Sequence, residues 1–140
     1  GSALRLGACL GVRVHIIHPT GFAFSMKALR RGGLDYIDQA DFMEHDSFAH
    51  FDAWRRDSGR RLVLLSTRAA HSAYAATFTG PDVLLIGRES AGVPDAVAGT
   101  ADLSIRIPMR QGLRSLNMAT AASLVLGEAL RQTGRFETLT

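Results

Sequence analysis

Cysteine is almost missing from this chain. Cys9 is the only one in 140 residues, so no internal disulfide can form, and no grouping of cysteine and histidine has metal-ligand spacing. Its setting, RLGACLG, reads as a packed helix around a small buried thiol. Lysine is equally scarce: among sixteen basic residues only Lys27 is one, so guanidinium forks, which suit phosphate geometry, make up the rest. No run of eighteen apolar residues and no signal-peptide pattern occurs, so no membrane contact and a cytoplasmic location are expected. Repeats, low-complexity segments and linkers are absent too. With 46% hydrophobic residues, the chain reads as a single domain, 1–140, able to bury one core.

The common nucleotide signatures are also lacking. GRESAG (87–92) has the glycine spacing of a phosphate loop, but Val93 and Pro94 stand where Lys and Ser or Thr would handle phosphate and magnesium. No G-x-G-x-x-G occurs, and Ser115, within LRSLN, lacks the glycines of a nucleophile elbow.

What is present alternates between two kinds of element. Four short apolar runs, Val12–Ile17, Leu62–Ser66, Val83–Gly87 and Leu103–Pro108, read as strands. The second and third are apolar on both faces, as in a covered parallel sheet. The fourth alternates, with Leu103, Ile105 and Ile107 inward and Ser104 and Arg106 outward, which predicts a wetter face or an edge. Between the strands lie helical patterns: one capped by Ser25, one capped by Ser47 with Phe48, Phe51 and Trp54 three apart, and a long one after Ser115. In the last, Ala122, Leu126 and Leu130 share a line, with Met118, Val125 and Ala129 beside it. This order predicts an α/β fold with a mainly parallel sheet flanked by helices.

Ligands of open parallel sheets sit beyond the carboxyl ends of the strands. Three such ends are distinctive here: Leu65 to Arg68, Gly87 to Gly92, and Ile107 to Met109. Together they predict one pocket floored by main chain. Gly87 serves either as a plain turn residue or as a place where a ligand ring approaches the backbone. The histidines, His15 and His18 near a strand and His45, His50 and His71 in loops or helices, have no partner at ligand spacing, so no metal is expected. Basic residues come in groups: Lys27, Arg30 and Arg31; Arg55, Arg56, Arg60 and Arg61; Arg106, Arg110 and Arg114. Each reads as solvated surface or as a seat for a polyanion, and composition does not choose.

VLLIGRESAGVP followed by IRIPMRQGLRSLNMATAASLVLGEALRQ resembles the second and third motifs of the SPOUT methyltransferases. VHIIHPTGF and KALRRGGLDY are similar to the short, single-domain TrmL-type group among them, and the likeness covers nearly all of residues 1–135. The resemblance implies a C-terminal deep trefoil knot, against the usual rule for chains. It also implies S-adenosyl-L-methionine as cofactor, wrapped by the turn from Arg110 to Asn117. Leu65, Gly87, Ile107 and Ser115 match the family's cofactor-contacting positions, with Met109 and Leu116 beside them.

Gly1 to Arg5 matches the end of the family's first motif. Arg5 would then be the catalytic residue, unless it is simply a helix-surface arginine. Arginine is a poor base at neutral pH, so orientation and charge stabilisation are its expected contributions. Glu89 and Asn117 would support the cofactor loops or be purely structural, and Ser115 could equally be a helix cap. Lys27, Arg30, Arg31, Arg110 and Arg114 become candidates for phosphate contacts around the anticodon stem-loop of a tRNA. A homodimer burying the last helix is expected. So are about 15 residues before Gly1, carrying the family's first strand, by length analogy. The implied activity is 2′-O-methylation of the ribose of the wobble nucleotide, cytidine or modified uridine, in tRNA. The alternatives are 2′-O-methylation at another tRNA or ribosomal RNA site, a non-catalytic RNA-binding relative, or an unrelated α/β ligand-binding module.

Overall fold

The computed structural model describes residues 2–18, 40–87, 93–113 and 116–140. They divide between Trp54 and Arg55 into two units, with Leu139 grouped with the first. The helix predicted after Ser25 lies outside the described residues.

In the first unit, helix α1 (Ser2–Leu10) is followed by strands β1 (Val14–Ile17) and β2 (Phe42–His45). The strands pair in parallel from Val14 opposite Phe42 to Ile17 opposite His45. Leu4 and Gly7 form the buried stripe of α1. A methyl group on Gly7 would meet Val14 Cγ2 at 2.6 Å and the Val12 carbonyl oxygen at 2.7 Å, so only glycine allows this approach. Cys9 is exposed rather than buried. At about 100° per residue it lies some 200° from Gly7 around the helix, off the packed stripe. Strand β2 was not foreseen, since Phe-Met-Glu-His ends on two polar residues and forms no apolar run.

Helix α2 (Phe48–Asp57) starts where Ser47 predicts, its hydroxyl accepting from the His50 amide at 3.1 Å. Phe51 is 1% exposed, and Phe48 and Trp54 are half-buried. The last turn of α2 belongs to the second unit.

The second unit is a four-stranded parallel sheet in the order β4-β6-β3-β5, where β3 is Leu62–Leu65, β4 His71–Ser72, β5 Val83–Ile86 and β6 Leu103–Arg106. The central β3 is buried through Leu62, Val63 and Leu64, as its doubly apolar run predicts. The alternating strand β6 is not an edge: the two-residue β4 pairs with it on the outside, through His71–Ile105 and Ser72–Arg106. A strand that short leaves no sequence period. It is β5 that stands at the end of the order.

Val63, Ala73, Phe78, Ile105, Ile107 and Val125 make the core. Helix α3 (Asp95–Ala98) precedes β6, and helix α4 (Met118–Gln132) covers the core with Ala122, Val125 and Leu130. The stripe passes through Val125 rather than Leu126. Gln132 pins the far end of α4, donating to the Ala76 carbonyl at 2.9 Å and accepting from the Phe78 amide at 2.8 Å. Its start is capped by Asn117, whose side chain accepts from the amides of Ala119 and Thr120 at 2.9 and 3.3 Å. The cap is therefore Asn117, two residues later than Ser115. A single turn from Arg135 to Thr138 follows α4.

Candidate functional site

Three parallel strands put their carboxyl ends on one edge of the second unit's sheet. Leu65 closes β3 opposite Ile86 of β5 and Ile105 of β6, so Gly87 and Ile107 each lie one or two residues past the shared end. The main chain there leaves the ladder almost at once: the Ser66 amide makes a last bond to the Ile105 carbonyl at 2.9 Å. Released amides and carbonyls at such an edge can read the polar rim of a flat ligand.

The side chains divide differently from the backbone. Ile107 is 9% exposed and belongs to the core, with Leu65 half-buried against it. Both are committed to packing in or against that core, so their contribution toward a ligand comes mainly from the main chain. Met109 is half-buried, Arg110 is exposed, and Leu113 and Leu116 are apolar side chains open to solvent in the same segment. Asn117 anchors the segment to α4. Gly112, at φ +87°, turns it in a conformation that favours glycine. The structure thus gathers Leu65, Gly87 and Ile107 at one edge; Met109 follows two residues after Ile107, and Leu116 and Asn117 lie where the chain enters α4. Ser115, Glu89, Lys27, Arg30, Arg31 and Arg114 lie outside the described residues. Arg5, in the first unit, is an exposed residue of α1.

The first unit also holds a cluster that its sequence spacing concealed. His15 Nδ1 lies 3.0 Å from His45 Nε2, and His45 Nδ1 lies 3.1 Å from His50 Nδ1. His45 is 1% exposed, and the rings of Phe51 and Trp54 lie 5.3 and 6.0 Å from its own. A neutral imidazole has one N–H and one bare nitrogen. Neutral His45 therefore donates to one neighbour and accepts from the other, giving both bonds a single direction. Burial, and then the charge of nearby His50, hold the His45 imidazolium below the usual histidine range. On the other face of the strand pair, Glu44 Oε1 lies 2.9 Å from His18 Nε2.

The strands explain why this was missed. The parallel register sets His15 two positions diagonally from His45 on one face, and sequence spacing alone does not reveal that pairing. Two of the three histidines thought to lie in loops or helices, His45 and His71, are on strands. Among the described residues, no group of three or more His, Cys, Asp or Glu could hold a metal ion.

Comparison with known proteins fits this geometry. The model of the SpoU rRNA methylase family matches residues 1–127. A tRNA (cytidine(34)-2′-O)-methyltransferase of Beijerinckia indica is 55% identical over 134 residues, which are 96% of this chain and 84% of that protein. A solved structure presented as structural insights into the 2-OH methylation of C/U34 on tRNA has a TM-score of 0.85 and 40% identity, covering 94% of this chain and 85% of the other. The SpoU methyltransferase AviRb of Streptomyces viridochromogenes, solved in complex with the cofactor AdoMet, has a TM-score of 0.80 at 28% identity. It is matched over 94% of this chain and 54% of its own. With a family model spanning most of its length and a parallel sheet whose strand ends converge, this chain belongs to the SpoU methylase family.

Proposed function

We propose that the chain is a single methyltransferase domain that transfers a methyl group from S-adenosyl-L-methionine to the ribose 2′-oxygen of the wobble nucleotide, cytidine or modified uridine, in tRNA. The observation that carries this reading is the convergence of Leu65, Gly87 and Ile107 at one edge of a parallel sheet. The names of its close relatives support the substrate. A homodimer, a cytoplasmic location and the C-terminal knot belong to the same reading. No helix among the described residues is long and apolar enough to cross a membrane.

The edge suits such a cofactor. An adenine ring is flat and apolar with a polar rim, and the edge offers released main-chain groups beside Leu65, Ile107 and Met109. Bound there, S-adenosyl-L-methionine supplies a methyl group on a sulfonium, open to in-line displacement, which calls for no metal.

The chain's own residues then have separate tasks. Main chain at Leu65, Gly87 and Ile107, with Met109, Ser115 and Leu116, grips the cofactor, and Asn117 fixes the loop by capping α4. Glu89 supports the loop after β5. Arg5 orients the ribose hydroxyl and compensates the negative charge that grows on its oxygen as the proton passes to a phosphate oxygen of the RNA. Positioning of this kind contributes about 7–11 kcal/mol in favourable cases. Lys27, Arg30, Arg31, Arg110 and Arg114 receive RNA phosphates.

The test is incubation with labelled cofactor and total tRNA, followed by mapping of the modified nucleotide. A 2′-O-methyl group at the wobble position is expected. Label at another tRNA position or in ribosomal RNA would move the substrate, and no transfer at all would sink the enzymatic reading.

A further inference from the structure

The two ends of the second unit's sheet differ in how fully their side chains are engaged. At the amino ends the arginines have partners: Arg61 grips Asp82 through Nε at 3.1 Å and Nη2 at 2.6 Å. Arg55 Nη1 donates to Asp102 at 3.2 Å, and Arg60 Nη1 donates to the Pro81 carbonyl at 3.3 Å. At the carboxyl ends a fourth strand, β4, reaches the edge, and the proposed reaction gives it no task. His71 of β4 stands opposite Ile105, and Ile105 stands opposite Leu65, so the three form one row across the sheet. These strands are parallel, and the chain that leaves β4 emerges on the same edge as Gly87 and Ile107. With strands about 4.8 Å apart, β4 lies roughly 5 Å from β6 and roughly 10 Å from β3.

Tyr74 stands on the turn that follows β4, closed by the Ala75 amide donating to the Ser72 carbonyl at 3.1 Å. The Tyr74 amide donates to the Ser72 hydroxyl at 3.1 Å. Ala73 is fully buried, and its amide donates to the Arg106 carbonyl at 2.7 Å. Two residues beyond Tyr74, the Ala76 carbonyl accepts from Gln132 of α4 at 2.9 Å. The backbone that carries Tyr74 is thus tied to β6 on one side and to α4 on the other.

The side chain is not tied. Tyr74 is 49% exposed, and among the described residues its ring and hydroxyl make no hydrogen bond or ring contact. Its neighbours Ala73, Ala75 and Ala76 add no bulk beside the ring. A lone apolar residue in water is ordinary. Tyr74 differs in being an aromatic ring on a braced turn at the edge proposed for the cofactor, with His71 exposed three residues before it. A tyrosine has only two rotatable side-chain angles, so ordering its ring against a partner costs little.

We propose that Tyr74 is a stacking platform for an unpaired base of the substrate RNA, beside the nucleotide that is methylated. The inference rests on the proposed tRNA substrate and deepens it. A wobble nucleotide lies in the anticodon loop, where neighbouring bases are unpaired and can be splayed onto aromatic side chains. Every base has a flat π-face, so such a ring accepts one without reading its identity. The offset of β4 from β3 sets Tyr74 to one side of the cofactor grip, the place of an adjoining nucleotide rather than of the reacting one.

The experiment is binding of the full chain to a tRNA anticodon stem-loop, with Tyr74→Ala, Tyr74→Leu and Tyr74→Phe beside wild type. S-adenosyl-L-methionine affinity and thermal melting are followed in parallel. Loss of one base stack weakens RNA binding about 5- to 150-fold in Tyr74→Ala. Tyr74→Phe keeps the ring and binds close to wild type; Tyr74→Leu, apolar but not flat, stays with alanine and carries the comparison if the alanine variant does not fold. Cofactor affinity and melting stay at wild-type values, and the slope of log affinity against log salt is unchanged because no phosphate contact is lost. Abasic substitution on one side of the wobble nucleotide weakens wild type by the same factor and Tyr74→Ala no further.

Wild-type RNA affinity in Tyr74→Ala overturns the inference. So does a leucine variant that binds as well as phenylalanine, which would make the contact merely apolar. So does an alanine loss that adds in full to abasic substitution on both sides. Wild-type methylation of tRNA is scored separately: if it succeeds while Tyr74→Ala binds normally, only the platform falls, and if it fails, the substrate reading falls and the platform with it.

Discussion

Val63 and Ile105 fill the middle of the second unit with side chains that exchange no proton, and His45, equally hidden from water, lies in the first unit bonded to two further imidazoles. Both units rest on parallel strands. The core of one is held by shape and apolar area, which carry no charge to titrate. The other is held partly by directed bonds that need a particular protonation state. A strand pair of four residues each buries little by itself. There, the hydrogen-bonded histidines and the rings of Phe51 and Trp54 supply order that the wider sheet obtains from aliphatic packing. The two units also divide the proposed chemistry, with Arg5 in the first and the cofactor edge in the second.

That division makes Arg5→Ala the variant with the largest expected effect. Methylation falls roughly 10²–10⁴-fold, while cofactor affinity measured by calorimetry is retained. Near-normal turnover would remove Arg5 from catalysis and leave the second unit as the sole seat of the reaction. Next comes Ile105→Ala, which opens a cavity in the aliphatic core and costs about 2–5 kcal/mol in urea unfolding. The loss is the same at pH 8 and pH 6, because no titrating group is involved; a pH-dependent loss would blur the contrast between the units.

His45→Phe keeps a ring of similar shape and removes both imidazole bonds. It should lower stability at pH 8 by about 1–3 kcal/mol, the range for leaving buried polar groups unmatched. Its sharper signature is in the pH profile. Folded His45 holds a proton less tightly than an unfolded histidine, whose reference value is 6.5. Around and below that pH the unfolded chain therefore binds more protons, and stability falls until the lower folded value is passed. Wild type should lose stability on acidification through this window, and His45→Phe should lose less of it. Equal pH profiles would place the sensitivity elsewhere. The smallest effect is expected for Asn117→Ala, about 1 kcal/mol for a lost helix cap. A Ser115→Ala variant that proved the more destabilising would return the cap to Ser115.

Much of this was legible in the residues. Doubly apolar Leu62–Leu65, Ser47 before Phe48, and the seam between Ile107 and Met118 each gave their elements from local chemistry. The convergence of Leu65, Gly87 and Ile107 followed from parallel strands and the order of the motifs. Other features had no local signal. Strand β2 carries Glu44 and His45 in place of an apolar run, and β4 has only two residues; with β4 missing from the pattern, an edge stood beside a wetter face as a reading of β6. The histidine chain depends on register between residues thirty apart, and the Arg61–Asp82 grip depends on a sheet that brings two loops together. Cys9 was misplaced because its neighbours were apolar while the packed stripe of α1 ran through Leu4 and Gly7.

The bare position at Gly7 also sets a limit on how this protein can vary. Any side chain there must lift α1 away from β1, and the guanidinium two residues earlier on the same helix would be carried with it. Rebuilding Val14 relieves only one of the two clashes, since the Val12 main-chain carbonyl stands as close, so any change at position 7 also shifts the residue proposed for catalysis.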